Sequence, residues 1–366
     1  MARGCFLELK GETLPEVLRG LWRRMLEGPF GAVLLPLEVE GGLVSLGLVV
    51  SPEGVERSRA LAPYMGVNGA RVLQMMTKIS PSSRPVAAVL RPCELRAAVE
   101  LRKLQQVAEE NLLLVGLDCL GTYPLQEYRR LLEQGLCEEP EPEEARLREA
   151  CRVCLWPVAP WADLRVGFLG LNGRVVLEAL TERAEEALRQ MGFEVEELDL
   201  DGRKARIEEI LKGRRAAEGE LLELQQRELK GHEAILRALS ACIKCLNCMT
   251  VCPLCYCKEC FFNSPTFQME ADRFLRLASS RPALRMPSEV LLFHLTRMAH
   301  MATSCVACGM CQEGCPQEVP VFRLFKAVSK RLQGIFQYEP GRDPEEPLPL
   351  ATFREEELKE VEEPKI

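Results

Sequence analysis

The sequence predicts an α+β chain, with an N-terminal α/β domain followed by a mostly helical, cysteine-dense module. Two observations carry this. Strand-like apolar runs alternate with helix-periodic ones through the first 200 residues. Beyond them, 11 of the 17 cysteines crowd between positions 242 and 315. Val33–Glu38 and Leu43–Val50, separated by Glu40-Gly41-Gly42, read as a hairpin. Pro85–Leu90 and Asn111–Leu117 read as buried parallel strands. Cys93–Ala108, between them, has helical periodicity, with Leu95, Val99, Leu101 and Leu104 on a broad apolar side. Strand, helix, strand implies a right-handed crossover. Arg165–Leu171 reads as a further strand and Val175–Met191 as a helix, and the acidic, proline-containing segment 137–147 reads as a loop. Residues 202–238, rich in Arg, Glu, Leu and Ala, read as a helical connector. The predicted division is 1–200 for the α/β domain, 201–240 for the connector, 241–330 for the cysteine-dense domain and 331–366 for an acidic extended tail.

The chain has 366 residues, 47% hydrophobic and 28% charged, enough for two or three domains with real cores. No run reaches the length of a membrane-spanning helix, and the N-terminus lacks the charged and apolar regions of an export signal. The net charge of -7 argues against a general nucleic-acid binder. Residues 339–366 carry 10 acidic and 4 basic side chains, so only -1 remains elsewhere and the acidity belongs to the tail. An odd cysteine count in a long chain does not suit a secreted disulfide scaffold. The expectation is a reduced, cytoplasmic, metal-binding protein.

Two cysteine runs share one spacing. Cys242, Cys245, Cys248 and Cys252, followed by Pro253, form C-x2-C-x2-C-x3-C-P, and so do Cys305, Cys308, Cys311 and Cys315, followed by Pro316. This is the bacterial ferredoxin run for 4Fe-4S clusters, in which three thiolates on a tight loop hold one cluster and the fourth cysteine serves the other. One cluster is therefore assigned to Cys242, Cys245, Cys248 and Cys315, and the second to Cys305, Cys308, Cys311 and Cys252. Structural zinc needs only paired C-x2-C knuckles, not two four-cysteine runs ending in proline. The cysteine-dense domain is thus expected to be a ferredoxin-like module with an enlarged segment of 52 residues between its runs.

Nine cysteines remain outside these runs. Cys255, Cys257 and Cys260 follow the first run closely, either as ligands of an additional metal centre, such as a fourth cluster, or as small buried hydrophobes. Cys93 and Cys119 end successive predicted strands, where α/β sheets place ligands, and Cys151 and Cys154 form a C-x2-C knuckle. These four thiolates either converge on a third 4Fe-4S cluster or sit separately in the core, and spacing alone does not choose. Cys5 and Cys137 have no companions. Gly167, Gly170 and Gly173 read as a plain turn rather than a dinucleotide loop, and His294 and His300 as helix residues rather than ligands.

Together these segments resemble the beta subunit of formate dehydrogenase, within the coenzyme F420 hydrogenase/dehydrogenase beta-subunit family. The resemblance runs through residues 91–106, 110–122, CRVC at 151–154, the cysteine-rich 242–260 and 300–325, and ends on YEPGRD at 338–343. It implies that Cys93, Cys119, Cys151 and Cys154 hold a third 4Fe-4S cluster. It also implies FAD in the N-terminal domain, exchanging hydride with the deazaflavin coenzyme. The family's Ser-Gly-Gly stretch is absent from the comparable Leu26–Gly31, and its flavin-side segment is replaced by Ala162–Gly170. The first expectation is therefore an iron–sulfur electron-transfer subunit of a multisubunit oxidoreductase. It would relay single electrons between a catalytic subunit of formate dehydrogenase or hydrogenase type and a second electron-transfer or flavoprotein subunit, including one like heterodisulfide reductase. The alternative is an FAD-containing subunit that oxidises or reduces coenzyme F420 or NAD(P)H and feeds the clusters.

Overall fold

The computed structural model describes residues 2–138, 141–280 and 283–352. The chain starts with β1 (Arg3–Glu8) and α1 (Leu14–Glu27), followed by the hairpin β2 (Ala32–Glu38) and β3 (Val44–Val49). Then come α2 (Gly69–Thr77), β4 (Val86–Leu90), α3 (Pro92–Lys103), β5 (Leu112–Leu117), α4 (Leu125–Glu133) and the short α5 (Glu149–Arg152). β6 (Leu164–Gly167), β7 (Arg174–Ala179), α6 (Glu182–Gln190) and β8 (Glu196–Glu197) complete the domain. All eight strands form one sheet in the order β3-β2-β4-β5-β6-β7-β1-β8. β2, β4, β5 and β6 run parallel, flanked by antiparallel partners on both sides.

Alternation along the strands explains the layering. Val33, Leu35, Ala87, Val89, Leu113 and Val115 point to the face covered by α1 and α6. Leu34, Ala88, Leu90, Leu112 and Leu114 point to the face covered by α2 and α3. With both faces buried, β4 and β5 are apolar throughout.

The helical half begins with α7 (Asp201–Glu228), separated from α8 (His232–Ala238) by a break in which Gly231, with φ of 83°, caps the start of α8. Then follow α9 (Asn247–Thr250), α10 (Ala271–Ser279), α11 (Val290–Met301), α12 (Met310–Glu313) and α13 (Val321–Ile335). Its core joins Leu239, Phe262, Phe293, Leu324 and Phe325. Leu254 and Val306 pack into the α2/α3 layer of the sheet, so the cysteine-dense half lies against that face. No helix of the described residues is long and apolar enough to cross a membrane.

The fold class is the one the sequence predicts, with three local corrections. Val175 begins no helix: β7 occupies 174–179, and the helix starts only after Thr181, whose hydroxyl caps Ala184 N. The strand at Arg165 stops at Gly167 and gives way to turns. The boundary expected at 330 falls inside α13, and Tyr338–Arg342 is docked on α3 rather than extended. There the Glu100 carboxylate accepts Tyr338 Oη and, at 2.9 Å, Gly341 N, while Arg96 Nε donates to Pro340 O at 2.8 Å. The acidic segment from Phe353 lies outside the described residues.

Candidate metal centres

The parallel register positions the N-terminal thiols. Leu90 of β4 pairs with Gly116 of β5, so Cys93 and Cys119 each come three residues beyond that pair, side by side at the carboxyl edge. Cys93 opens α3, where Pro92 takes the first turn and Glu94 reaches back to Arg91 N at 2.8 Å. Cys119 N donates to Pro157 O at 2.9 Å. Cys151 and Cys154 lie on and just after α5. Arg214 of α7, buried, binds Leu120 O and Cys154 O and so ties the two cysteine loops together. The electrostatic neighbours of Cys93 include Cys119 and Cys154, and those of Cys119 include Cys151 and Cys154.

The preceding residue, Asp118, anchors this edge. Its carboxylate accepts Phe168 N at 2.9 Å and Leu169 N at 3.0 Å and forms a two-pronged pair with Arg203 of α7. Gly121 has φ +125°, and a Cβ there would sit 2.8 Å from Leu147 and 3.1 Å from Cys151 Cβ, so the chain passes the knuckle too closely for a side chain.

The two ferredoxin-type runs have matching backbones. Lys244 and Leu246 have φ of 55° and 64°, and Ala307 and Gly309, at the same offsets in the second run, have 55° and 74°. Left-handed residues spaced this way turn backbone N–H groups into one concavity, the arrangement found at anion and iron–sulfur sites. Gly309 is required by contact as well: a Cβ there would lie 2.4 Å from Ala150 Cβ in α5, next to Cys151.

The thiols are grouped crosswise between runs. Cys242, Cys245, Cys248 and Cys315 line one small cavity with Phe293 and His294, and Cys248 has the other three as electrostatic neighbours. Cys311 has Cys252, Cys308 and Cys305. Cys308 is also a neighbour of Cys93, which joins this set to the N-terminal one. Among the described residues no three His, Cys, Asp or Glu side chains close on a point as they would around a single ion. Cys242, Cys245, Cys248 and Cys315 line a shared space instead, as a cubane with each cysteine on a different iron requires.

Burial pushes the Cys248 and Cys119 thiols up to about 11 and Cys308 to about 12. Buried thiols resist ionising alone, so thiolate donors here need a bound cation to balance them. Cys151 differs. Burial pushes it up, but Arg148 and the hydrogen bonds from Thr122 outweigh that, and the net shift is downward. Arg148 Nη2 lies 3.6 Å and Thr122 N 3.4 Å from its sulfur. In the dicluster half, Arg297 Nη1 donates to Cys248 Sγ at 3.1 Å and His294 Nε2 lies 3.4 Å from Cys242 Sγ. Burial, helped by Arg297, lowers His294 to about 4, which keeps it neutral.

Cys255 has Cys252, Cys260 and Cys257 as neighbours, and burial raises it to about 11. Cys257 is exposed, and Cys260 Sγ faces Met249 Sδ at 3.5 Å. Cys5 sits in the sheet core and Cys137 near Arg59, apart from the three sets.

Sequence reasoning put His294 on a helix but missed its approach to Cys242, and missed Arg297, Arg148, Arg214 and Asp118. The first two carried a signal. Val290, Phe293, His294, Arg297 and Met298 follow helical spacing on the buried face of α11, so two polar residues lie on an apolar stripe.

Residues 238–319 match the 4Fe-4S dicluster domain family. The chain is 25% identical over 304 residues to the F420-dependent formate dehydrogenase subunit beta of Methanocaldococcus jannaschii, covering 72% of this chain and 75% of that one. It is 27% identical over 313 residues to the F420-dependent formate dehydrogenase 1 subunit beta of Methanococcus maripaludis, again 72% and 75%. Among solved structures, a chain of the F420-reducing [NiFe] hydrogenase complex from Methanosarcina barkeri aligns with a TM-score of 0.45 and 14% identity. That alignment covers 64% of this chain and 94% of that one. The resemblance read from the motifs is borne out by the curated relatives.

Proposed function

We propose that this chain, similar to formate dehydrogenase beta subunits, is an iron–sulfur electron-transfer subunit of a multisubunit oxidoreductase. It takes three 4Fe-4S clusters. Cys242, Cys245, Cys248 and Cys315 hold one, Cys252, Cys305, Cys308 and Cys311 the second, and Cys93, Cys119, Cys151 and Cys154 the third. The observation that carries this reading is the crosswise grouping of the two runs on matching left-handed loops. Such clusters supply reversible one-electron chemistry. The protein's own part is to keep the sulfurs from water, aim N–H groups at them and hold the three sets in line. The electrostatic proximity of Cys308 to Cys93 relates the middle set to the N-terminal one, and Arg297, which bonds Cys248 and has Cys252 and Cys311 as neighbours, relates it to the other.

The partners we propose are a catalytic subunit of formate dehydrogenase or hydrogenase type and a second redox subunit, including one like heterodisulfide reductase. The alternative, a flavin subunit acting on coenzyme F420 or NAD(P)H, fits the residues less well. Leu26–Gly31 lies at the opposite edge of the sheet from the cysteines, with Gly31 N on Pro85 O ahead of β4. At Gly167 and Gly170 the space a ligand would use is filled by Arg203 and Arg206 of α7, within 2.6 and 2.8 Å of where a Cβ would stand. No step is therefore assigned to flavin.

Iron and flavin counted in anaerobically purified protein test the reading. About 12 irons per chain and no flavin are expected for three four-iron clusters. About four irons would overturn the three-cluster arrangement, and about one flavin per chain would overturn the simple conduit.

A further inference from the structure

Helix α11 aims two side chains at one sulfur set. Arg297 donates from Nη1 to Cys248 Sγ at 3.1 Å and from Nη2 to Cys248 O at 3.0 Å. His294 Nε2 lies 3.4 Å from Cys242 Sγ. His294 and Arg297 are one turn apart and are 1% and 4% exposed. The tautomer of His294 follows from its surroundings. Its Nδ1 is buried without a hydrogen-bond partner, and a metal-bound cysteine sulfur carries no proton, so the ring proton belongs on Nε2 and points at Cys242.

The other dicluster set is treated differently. Cys252 receives backbone N–H groups from Leu254 and Cys255, and Cys308 receives one from Met310. Among the described residues no side-chain donor bonds the sulfurs of Cys252, Cys305, Cys308 or Cys311. The Cys242 set also faces outward, since Cys245 is exposed.

Reduction adds one negative charge to a thiolate-bound cluster. Hydrogen bonds to the sulfurs, a nearby cation and solvent access all favour the reduced form. We infer that His294 and Arg297 act as positioning residues that raise the reduction potential of the Cys242/Cys245/Cys248/Cys315 centre above that of the Cys252/Cys305/Cys308/Cys311 centre. The electron then rests at the outward-facing end of the dicluster module. This rests on the cluster assignment proposed above.

Redox titration of the full iron-loaded chain, followed by EPR, is the test, with His294→Leu, His294→Gln, Arg297→Met and Arg297→Lys alongside the parent. His294→Leu should move one midpoint to more negative potential and leave the other two in place, and Arg297→Met should move that same midpoint most, with a smaller shift of the second dicluster centre, whose Cys252 and Cys311 also neighbour the guanidinium. His294→Gln, which keeps an N–H, and Arg297→Lys, which keeps the charge, should recover part of the shift. Unmoved midpoints, or all three moving together, would overturn the inference. Should the Leu or Met variant shed iron, the conservative pair decides: iron loss there too makes α11 a structural support and refutes the proposal. A parent chain without three titrating centres refutes the cluster assignment itself.

Discussion

Replacing Asp118 by alanine should release the carboxyl edge of the sheet. The carboxylate and the Arg203 guanidinium are 2% and 3% exposed. Removing the acid leaves a buried cation without its partner, which costs about 3–5 kcal/mol for such pairs. Phe168 N and Leu169 N lose their acceptor at the same time. Against a total stability of about 5–15 kcal/mol, that is a large share. Cys119 is the next residue in the chain, so the N-terminal centre should be lost before the fold is. Asp118→Ala should therefore bind about four fewer irons, one cluster's worth, and melt at lower temperature by near-UV circular dichroism, to which Trp156 and Trp161 beside this edge contribute. The double variant Asp118→Ala/Arg203→Met removes both charges. It should recover the share of the melting temperature owed to the unpaired charge, keeping a deficit of about 1–3 kcal/mol for each orphaned amide. If the double variant is as unstable as the single one, the unpaired charge is not the cause and the reasoning fails. A single variant with full iron and unchanged melting refutes it outright.

Other substitutions probe the remaining sets. Gly309→Ala forces a side chain into the 2.4 Å gap at Ala150 on a left-handed residue. It should cost about 1–3 kcal/mol from overpacking and separate α12 from α5, lowering iron content, and unaltered iron and melting would sink the close-approach argument. Cys308→Ser should alter one dicluster EPR signal and stop electron flow to an added acceptor protein, and unchanged spectra and rates would reject its place in the second set. Glu100→Ala orphans Tyr338 Oη and Gly341 N, at about 1–3 kcal/mol per group. The segment after α13 should then be cut faster in limited proteolysis, whereas an unchanged cleavage rate would show that the segment is held elsewhere.

Much of the fold was legible because burial on both sides of a sheet leaves a plain mark. PVAAVL and NLLLVGL have no polar face to offer, so they could only be interior strands. β7 was misread because Arg174–Ala179 is followed without a break by helix-forming residues, and the apolar run Val175–Leu177 fits either period. Thr181 marked the true start, as a cap residue ahead of Glu182 and Glu185. The same signal stood unread at Thr13 and Glu16, whose capping box opens α1. The docking of Tyr338–Arg342 could not be read locally. Its partners, Arg96 and Glu100, lie more than 230 positions away, and a segment with proline and glycine looks like any loop until its acceptors are known.

The site divides along the same line. Cysteine spacing is a local property, and local geometry governs which sulfurs one short loop can present, so the crosswise neighbours of Cys248 and Cys311 are those expected from the C-x2-C-x2-C-x3-C-P runs. The N-terminal set follows from register, a property of paired strands, which explains why spacing left it undecided while the Leu90–Gly116 pairing puts Cys93 and Cys119 level. The residues that bond the sulfurs come from neither source. His294, Arg297 and Thr122 reach their cysteines through tertiary packing, 29 to 52 positions from the sulfur they contact, while Arg148 lies only three positions before Cys151. Their chemistry is nonetheless implied by burial. An arginine or histidine placed on the apolar stripe of α11 must find an acceptor or be strongly destabilising. Among the described residues, the acceptors that Arg297 and His294 reach are Cys248 Sγ and O and Cys242 Sγ, so under the proposed assignment the polar residues of a helix with no ligand of its own would set how readily that centre takes an electron.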